Sequence, residues 1–131
     1  MKAKLRFKSI SPKKANLVAD LVRGKKVDEA LNILKFTPKK AADILYRVVR
    51  SAAANAENNF KQKIEDLYVK EIIVTQGPMH RRQISISRGR SHPILKKTSH
   101  ITVEVGVKEE PKGEPKKVEK KEEPKKEVIK S

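Results

Sequence analysis

The fold of this chain depends most on residues 72–105, which read IIVTQGPMHRRQISISRGRSHPILKKTSHITVEV. Both ends of this stretch are rich in β-branched residues, which favour strands. Arg88-Gly89 near its middle is typical of a tight turn, because glycine accepts positive φ angles without steric cost. The stretch is therefore predicted to form one β-hairpin.

The hydrophobic pattern predicts the register of this hairpin. A two-residue turn at Arg88-Gly89 pairs Ile72 with Val105 and Val74 with Val103, and all four side chains then share one face of the sheet. A turn with an odd number of residues would instead place apolar residues opposite polar ones. The even register is therefore predicted.

The length of the hairpin predicts that it extends beyond the core. The turn lies about 14 residues from Val74, which spans about 46 Å at roughly 3.3 Å per residue. A body of about 105 residues has a radius of gyration of only about 13 Å. The hairpin, about residues 76–100, is thus expected to protrude, and because isolated hairpins are marginal in water it should gain order from what it contacts.

The first half of the chain predicts one strand and one helix. Residues 2–8 alternate basic side chains with Ala3, Leu5 and Phe7, which indicates a strand with one buried and one cationic face. Ser11-Pro12 is a typical helix start, and the apolar stripe that follows predicts a helix over residues 12–23 that ends at Gly24.

Two further helices follow. Apolar residues spaced by three and four predict a helix over residues 27–36, and Asp28 and Glu29 suit its first turn. Thr37-Pro38 repeats the helix-start pattern and opens the longest periodic segment, whose apolar positions are Ala41, Ile44, Leu45, Val48, Val49, Ala52, Ala53, Ala56 and Phe60. The second half of this helix offers alanines to the core, so a sheet or another helix must pack closely against it.

These elements predict an α+β fold, with three helices packed on a small antiparallel sheet, a long protruding β-hairpin and a disordered C-terminal tail. Residues 1–107 form one globular domain in this interpretation. Residues 108–131 contain mostly Lys, Glu and Pro, which cannot build a core, so this segment is predicted to be a disordered tail.

The charge of the chain indicates a polyanionic partner. Its 32 basic and 16 acidic residues give a net charge of +16, and residues 1–107 hold 23 of the basic and 9 of the acidic side chains. No acidic residue occurs between Glu71 and Glu104 or within the first 19 residues. One such run is usually a solvated face, but two in a small domain favour binding to a phosphate-rich partner such as nucleic acid.

The residues that could support catalysis or metal binding do not form a recognisable motif. The chain has no cysteine, and the spacing of His80, His92 and His100 does not fit a zinc module. No serine lies in a nucleophile motif. We therefore expect no enzyme activity, metal or cofactor. Because the chain lacks a long apolar run, we also expect that it is not secreted and has no membrane partner.

The distribution of aromatic residues predicts the mode of nucleic-acid recognition. Residues 76–107 contain no aromatic ring except histidine, so stacking on splayed bases is disfavoured along the hairpin. Recognition of the shape and phosphates of a folded RNA fits this composition better, since arginine makes forked phosphate contacts.

Three segments carry a resemblance to a known family. They are residues 11–26 (SPKKANLVADLVRGKK), residues 51–59 (SAAANAENN), and the run from Gly77-Pro78 through Arg88-Gly89-Arg90 to residues 96–101 (KKTSHI). Together they resemble the bacterial-type large-subunit ribosomal protein of family twenty-two, over about residues 4–105. The resemblance implies a structural, RNA-binding protein of the cytoplasmic large ribosomal subunit that supports assembly and whose hairpin lines the nascent-peptide exit tunnel.

The resemblance also implies roles for particular residues. The RNA-binding residues of the body would be Lys13, Lys14, Arg23, Lys25 and Lys26, and those of the hairpin would be His80, Arg81, Arg82, Arg88, Arg90, Lys96 and Lys97. The residues near the tunnel wall would be Arg82, Gln83, Ile84, Ser85, Ile86, Ser87, Arg88, Gly89 and Arg90. The implied partners are large-subunit ribosomal RNA, neighbouring ribosomal proteins and the nascent polypeptide, and the protein would not be an obligate homo-oligomer.

The tip of the hairpin departs from the family pattern. Ile84 and Ile86 stand where the family commonly has basic residues in a proline-containing stretch. We expect a more regular strand with one apolar face and fewer phosphate contacts at the tip.

A DNA-binding regulator is the alternative from another class. The helix over residues 12–23, Gly24 and the helix over residues 27–36 superficially resemble a helix-turn-helix. The second helix would be the recognition helix, but Asp28 and Glu29 leave it too little basic surface, so this alternative is not preferred. An enzyme acting on nucleic acid ranks third.

Overall fold

Residues 1–107 are described by a computed structural model, and the predicted tail over residues 108–131 lies outside the described residues. The strands and helices in chain order are β1 (Lys2–Lys8), α1 (Pro12–Ala19), α2 (Val27–Phe36), α3 (Lys40–Phe60), β2 (Leu67–Gln76), β3 (His80–Ser85), β4 (Ser91–Lys96) and β5 (Ser99–Val107). A short 3-10 turn, Ile64–Asp66, connects α3 to β2.

The strands form two antiparallel sheets. One has the order β1-β5-β2, and the other consists of β3 and β4. The central strand β5 alternates buried and partly exposed residues, and its Ile101, Val103 and Val105 face the helices in the core. The predicted α+β architecture of three helices on a small antiparallel sheet is thus confirmed.

Helix α3 forms the centre of the core. Every predicted apolar position from Ala41 to Ala56 is buried, whereas Phe60 is 57% exposed at the end of the helix. The side-chain amide of Asn55 donates to the carbonyl of Lys2 at 3.4 Å, which places the second half of α3 beside β1. The close neighbour that its alanines require is therefore the sheet, because small side chains let the helix backbone approach the strands.

The predicted start of α1 and the bounds of α2 are confirmed, but α1 is shorter than expected. It ends at Ala19 rather than at residue 23, and turns lead to Gly24, which has a φ of +74°. The Gly24 N–H donates to the carbonyl of Val69 at 2.9 Å. Pairing of this turn with β2 therefore replaces the last turn of the predicted helix.

The Thr37-Pro38 pair ends α2 instead of starting α3. The Thr37 hydroxyl donates to the carbonyl of Ile33 at 2.7 Å, and α3 begins only at Lys40. Ser11 precedes Pro12 at the start of α1 as predicted, but its side chain makes no capping hydrogen bond. The proline supplies the helix-compatible φ angle at that end.

The predicted turn of the hairpin is correct. Arg88 and Gly89 both have positive φ angles, of 57° and 69°, and the Arg90 N–H donates to the carbonyl of Ser87 at 3.3 Å. Two positive φ angles are typical of the type I′ turn that suits the twist of antiparallel strands.

The predicted register is wrong by two residues, although the face is right. Ile72 pairs with Val103 rather than Val105, and Val74 pairs with Ile101. Compared with the predicted pairing, the strand that runs toward the turn holds one extra residue beside the turn. It holds a second one at the base of the hairpin, where the three residues 77–79 lie opposite the two residues 97–98. Two single-residue shifts move the partners by two positions and so return the apolar side chains to the same face.

A joint separates the three-stranded sheet from the hairpin strands. Its centre is Gly77, where an added Cβ would lie 2.5 Å from Oγ1 of Thr98. The Thr98 hydroxyl donates to the carbonyl of Pro78 at 2.6 Å, and the Gly77 N–H donates to the carbonyl of Thr98 at 2.9 Å. These contacts fix the direction in which β3 and β4 leave the body.

Strand β1 departs from its predicted alternation at Phe7. Ala3 is buried and Leu5 is partly buried as expected, but Phe7 is 64% exposed. Its φ of 54° and the irregular pairing between Leu5 and Lys8 turn the side chain out of the buried face. The prediction that Phe7 belongs to the core is therefore wrong.

An ion-pair network on the outer face of the sheet gives a test of pH dependence. Lys2 Nζ lies 3.3 Å and Lys70 Nζ 3.8 Å from the carboxylate of Glu104. The hydrogen bond from Lys2 has the largest effect and lowers the pKa of Glu104; desolvation opposes it, and the charges of Lys2, Lys70 and the N-terminal amino group lower the pKa further, so that it lies below its ordinary value. Because the folded pKa is lowered, this stabilisation is present above the unfolded pKa and is lost as the pH falls through the folded one.

We expect Glu104→Gln to flatten the pH dependence of the unfolding temperature in acid, below about pH 4.5. Thermal unfolding between pH 2 and pH 7 measures this change, with Glu65→Gln as the control because Glu65 lies outside the network. An unchanged acid profile in Glu104→Gln would contradict the prediction.

Candidate nucleic-acid interface

The hairpin strands β3 and β4, together with their turn and the adjoining Lys97, form an arm over residues 80–97. Every residue of β3 is exposed, and in β4 only Ile94 is partly buried. Within residues 1–107 the ion pairs involve only the body, so the cations of the arm are not neutralised by a carboxylate of the described chain. This surface combines high positive charge with full access to a partner.

The observed register sorts the side chains of the arm by face. His80 pairs with Lys96, Arg82 with Ile94 and Ile84 with His92, and residues directly opposite share a face. The other face holds Arg81, Gln83 and Ser85 opposite Leu95, Pro93 and Ser91. One face therefore carries basic side chains and histidines, with isoleucines toward the tip. Among the paired residues of the other face there is a single cation, Arg81.

The residues at the tip of the arm are all exposed. Ile84 and Ile86 are 52% and 47% exposed, and alternation places both on the basic face with Arg82. The predicted tip residues from Arg82 to Arg90 thus form one continuous exposed end of the arm.

The base of the arm lies beside the first turn of α1. A cleft of about 610 Å³ opens there, lined by Ser9, Ile10, Ser11, Lys14, Leu17, Val18, Lys39, Lys40, Ala41, Leu95, Lys96 and Lys97. It brings Lys14 of the body together with Lys96 and Lys97 of the arm, so cations from both parts of the molecule line one surface. No carboxylate lines the cleft, so its lysines increase the local attraction for phosphates.

Lys39 and Lys40 were not among the candidate residues from the sequence. They follow Thr37-Pro38 as Lys13 and Lys14 follow Ser11-Pro12, and both pairs precede an alanine. This repeated pattern places a lysine pair at the start of α1 and of α3. It is the sequence signal that could have identified Lys39 and Lys40 as candidate residues.

Arg23 differs from the other candidates, because its guanidinium is bonded within the chain. Nε and Nη2 donate to the carbonyl of Ile72 at 3.2 and 2.8 Å, Nη2 also donates to Asn16 at 3.2 Å, and Nη1 pairs with Asp20. These bonds tie α1 and the turn after it to β2. The geometry gives Arg23 a structural function whatever it contacts outside the chain.

Arg23→Lys is expected to lower the free energy of unfolding by about 1–2 kcal/mol, because a lysine cannot make this forked set of bonds. Urea unfolding measures the change, and Lys25→Ala is the control at a neighbouring exposed cation. If Arg23 served only as a phosphate ligand, Arg23→Lys would leave stability unchanged, because lysine keeps the positive charge that a phosphate contact uses.

The remaining body candidates lie on exposed positions. Lys13 is in the first turn of α1, and Lys25 and Lys26 occupy the turn before α2. The carbonyl of Lys25 accepts a hydrogen bond from the N–H of Val69 at 2.9 Å, so the backbone is fixed while the side chain is free to reach a partner.

Other kinds of site have little support in the described part of the chain. Within residues 1–107, no three His, Cys, Asp or Glu side chains lie close enough to hold a metal ion. None of the helices there combines the length and hydropathy that a membrane crossing needs. His100, which the sequence did not assign to RNA, accepts a hydrogen bond from the N–H of Phe7 at 3.0 Å through Nδ1.

The geometry of α1 and α2 also argues against the helix-turn-helix alternative. Helix α1 has 8 residues instead of the 12 in the predicted span, and it is followed by irregular turns. On α2, Asp28 and Glu29 are exposed, so this helix presents negative charge where a recognition helix needs a surface complementary to DNA phosphate.

Comparison with known proteins identifies relatives that the chain covers over nearly their whole length. The family model described as Ribosomal protein L22p/L17e matches residues 3–106. "Large ribosomal subunit protein uL22" of Pelotomaculum thermopropionicum is 50% identical over 109 residues, covering 83% of this chain and 96% of the relative. The proteins of the same name from Clostridioides difficile and Syntrophotalea carbinolica are 52% and 51% identical, covering 83% and 82% of this chain and 96% and 97% of the relatives. The chain therefore belongs to the ribosomal protein L22p/L17e family.

Proposed function

We propose that this chain is a structural component of the large ribosomal subunit that binds ribosomal RNA and supports subunit assembly. Its family consists of ribosomal structural proteins, and the chain is not an enzyme. The role assigns it to the cytoplasm, with ribosomal RNA and neighbouring ribosomal proteins as its partners. It is not an obligate homo-oligomer.

The observation that carries this proposal is the exposed arm with its unpaired cations. Six arginines and lysines, Arg81, Arg82, Arg88, Arg90, Lys96 and Lys97, lie in a segment without any acidic residue. A surface protein without a partner would gain nothing from a thin, unsupported and highly charged extension, since hairpins alone are marginal in water. Folded RNA supplies both the counter-charge and the surroundings that order it.

The body supplies a second contact region. The lysine-lined cleft connects α1 to the base of the arm, and Lys25 and Lys26 form a separate exposed pair. RNA held by both regions would fix the direction of the arm as well as its position. Residues 1–107 then form the globular RNA-binding domain.

We further propose that the tip of the arm, from Arg82 to Arg90, lines the tunnel through which the nascent polypeptide leaves the ribosome. Support comes from the family resemblance and from the exposure of this whole segment. The apolar Ile84 and Ile86 suit contact with RNA bases or with a passing polypeptide better than contact with phosphate.

Sedimentation tests the main proposal. Cell extracts are washed in high salt and separated on a sucrose gradient, and the chain is followed by immunoblotting. We expect it to remain with the large subunit. Its release into a DNA-bound pool would overturn the proposal in favour of a regulator.

A tip variant tests the tunnel. With residues 83–87 replaced by Gly and Ser, we expect normal amounts of the chain in large subunits but altered susceptibility to macrolide antibiotics, because the change removes Ile84 and Ile86 and spares the basic residues of the arm. The control replaces residues 61–65, in the body, in the same way. Loss of incorporation together with unchanged susceptibility would contradict the tunnel proposal.

A further inference from the structure

We propose that Phe7 is a stacking platform for one unpaired base of the RNA, a site that the cationic surface alone does not reveal. The inference rests on the proposed RNA-binding function. The proposed ligand is an RNA base because two exposed cations, Lys4 and Arg6, line the same depression as the ring and because the ring contacts the imidazole of His100.

The backbone at Phe7 is the first observation. A φ of 54° lies in the left-handed region, which bulky L-residues rarely adopt. An ordinary β conformation would have continued the alternation of Ala3 and Leu5 and buried the ring. Instead, Phe7 has a strained backbone, and this residue, which carries the largest apolar side chain of β1, is 64% exposed. Backbone strain of this kind is concentrated at functional sites.

The ring is also held in place, as a stacking surface requires. The Phe7 N–H donates to Nδ1 of His100 at 3.0 Å, and the two rings meet edge to face with centroids 4.8 Å apart and planes 88° apart. His100 itself belongs to β5, the central strand of the sheet. The exposed ring is therefore attached to the central strand of the three-stranded sheet.

The surroundings of the ring match a nucleotide. A depression of about 340 Å³ is lined by Lys4, Leu5, Arg6, Phe7, His100 and Thr102. Lys4 and Arg6 are exposed cations that can contact phosphates on either side of a stacked base. The nearest acidic residue along β5, Glu104, is paired with Lys2 and Lys70, so it does not oppose an anionic ligand there.

The other exposed phenylalanines lack this combination. Phe60 ends α3 near Glu57 and has an ordinary helical backbone, and Phe36 lies at the end of α2 with Lys35 6.0 Å from its ring centroid. Neither is among the residues with positive φ angles. Phe60 thus offers a matched control, because its ring is similarly exposed at 57%.

The test measures the affinity of the full chain for in vitro transcribed large-subunit ribosomal RNA by filter binding over a series of salt concentrations. Phe7→Leu should weaken binding by about 5- to 150-fold, the range for loss of one base–aromatic stack, and leave the salt dependence unchanged. Phe7→Trp should bind at least as tightly as the unmodified chain, and Phe60→Leu should bind within about twofold of it. Equal weakening by Leu and Trp, or none by Leu, would overturn the inference.

Two further measurements keep the outcome clear. Phe7→Gly relieves the positive φ angle but removes the ring, so its unfolding temperature should stay close to that of the unmodified chain while its RNA affinity falls as in Phe7→Leu. Ultraviolet crosslinking of reconstituted subunits should attach a nucleotide to Phe7, and crosslinks confined to the arm would overturn the inference.

If the unmodified chain binds this RNA no better than duplex DNA, the proposed function itself fails, which is a result distinct from an inert Phe7.

Discussion

Replacing the six arm cations Arg81, Arg82, Arg88, Arg90, Lys96 and Lys97 by glutamine should weaken binding to large-subunit ribosomal RNA by about a thousandfold or more near 0.1 M salt. Each lost phosphate contact removes a released counterion from the binding equilibrium. Because these side chains are exposed and unpaired with carboxylates of the described chain, the substitutions cost the protein few internal contacts.

The salt dependence distinguishes this mechanism from a general loss of charge. If all six cations meet phosphates, the slope of log affinity against log salt should decrease in magnitude by about 4–5. The matched control replaces six lysines of the segment 108–131 by glutamine, which changes the net charge equally. We expect that variant to bind within a few-fold of the unmodified chain, and an equal loss in both variants would show that net charge alone governs affinity.

The helices and the main strands could be predicted from the sequence because each has a strong local signal. The buried stripe of α3 and the bounds of α2 follow from apolar spacing, and the turn at Arg88-Gly89 follows from the conformational freedom of glycine. These features depend on residues close to one another in the chain. The basic candidates of the arm were found for the same reason, since a long segment without acidic residues is visible without a fold.

Features that depend on distant parts of the chain were not predicted. The early end of α1 follows from pairing of the Gly24 turn with Val69, and the role of Arg23 follows from the position of the Ile72 carbonyl. Neither contact has a local signature. The register shift at Gly77 likewise results from the packing of Thr98 against the chain after β2, and a count of residues from the turn could not detect the added positions.

Phe7 shows where a local rule was overridden. The alternation of Ala3, Leu5 and Phe7 predicts one buried face, yet the backbone turns at the third position. The hydrogen bond to His100 and the edge-to-face ring contact stabilise that turn from a strand more than 90 residues away. A disagreement between pattern and structure of this kind is expected at functional sites more often than in a core.

Leu45→Ala should lower the free energy of unfolding by about 2–5 kcal/mol, more than Arg23→Lys or any substitution of an exposed side chain. Leu45 is completely buried in the middle of α3, within the single core cluster that joins the three helices to the three-stranded sheet. Truncation removes its transfer free energy and leaves a cavity that rigid neighbours fill only in part. Domains of this size have total stabilities of about 5–15 kcal/mol, so the change consumes much of the margin.

The control for this prediction is Leu17→Ala on α1, where the same chemical change occurs at a side chain that is 70% exposed. We expect it to alter the free energy of unfolding by no more than about 0.5 kcal/mol in urea titrations. Leu45→Ala that is still folded should bind ribosomal RNA with nearly unchanged affinity, because the residue lies in the body core and not among the exposed cations of the arm. A large affinity loss in the folded Leu45→Ala variant would mean that core packing and the direction of the arm are coupled through the joint at Gly77, and hydrogen exchange at Gly77 and Thr98 would then rise together with the loss of binding.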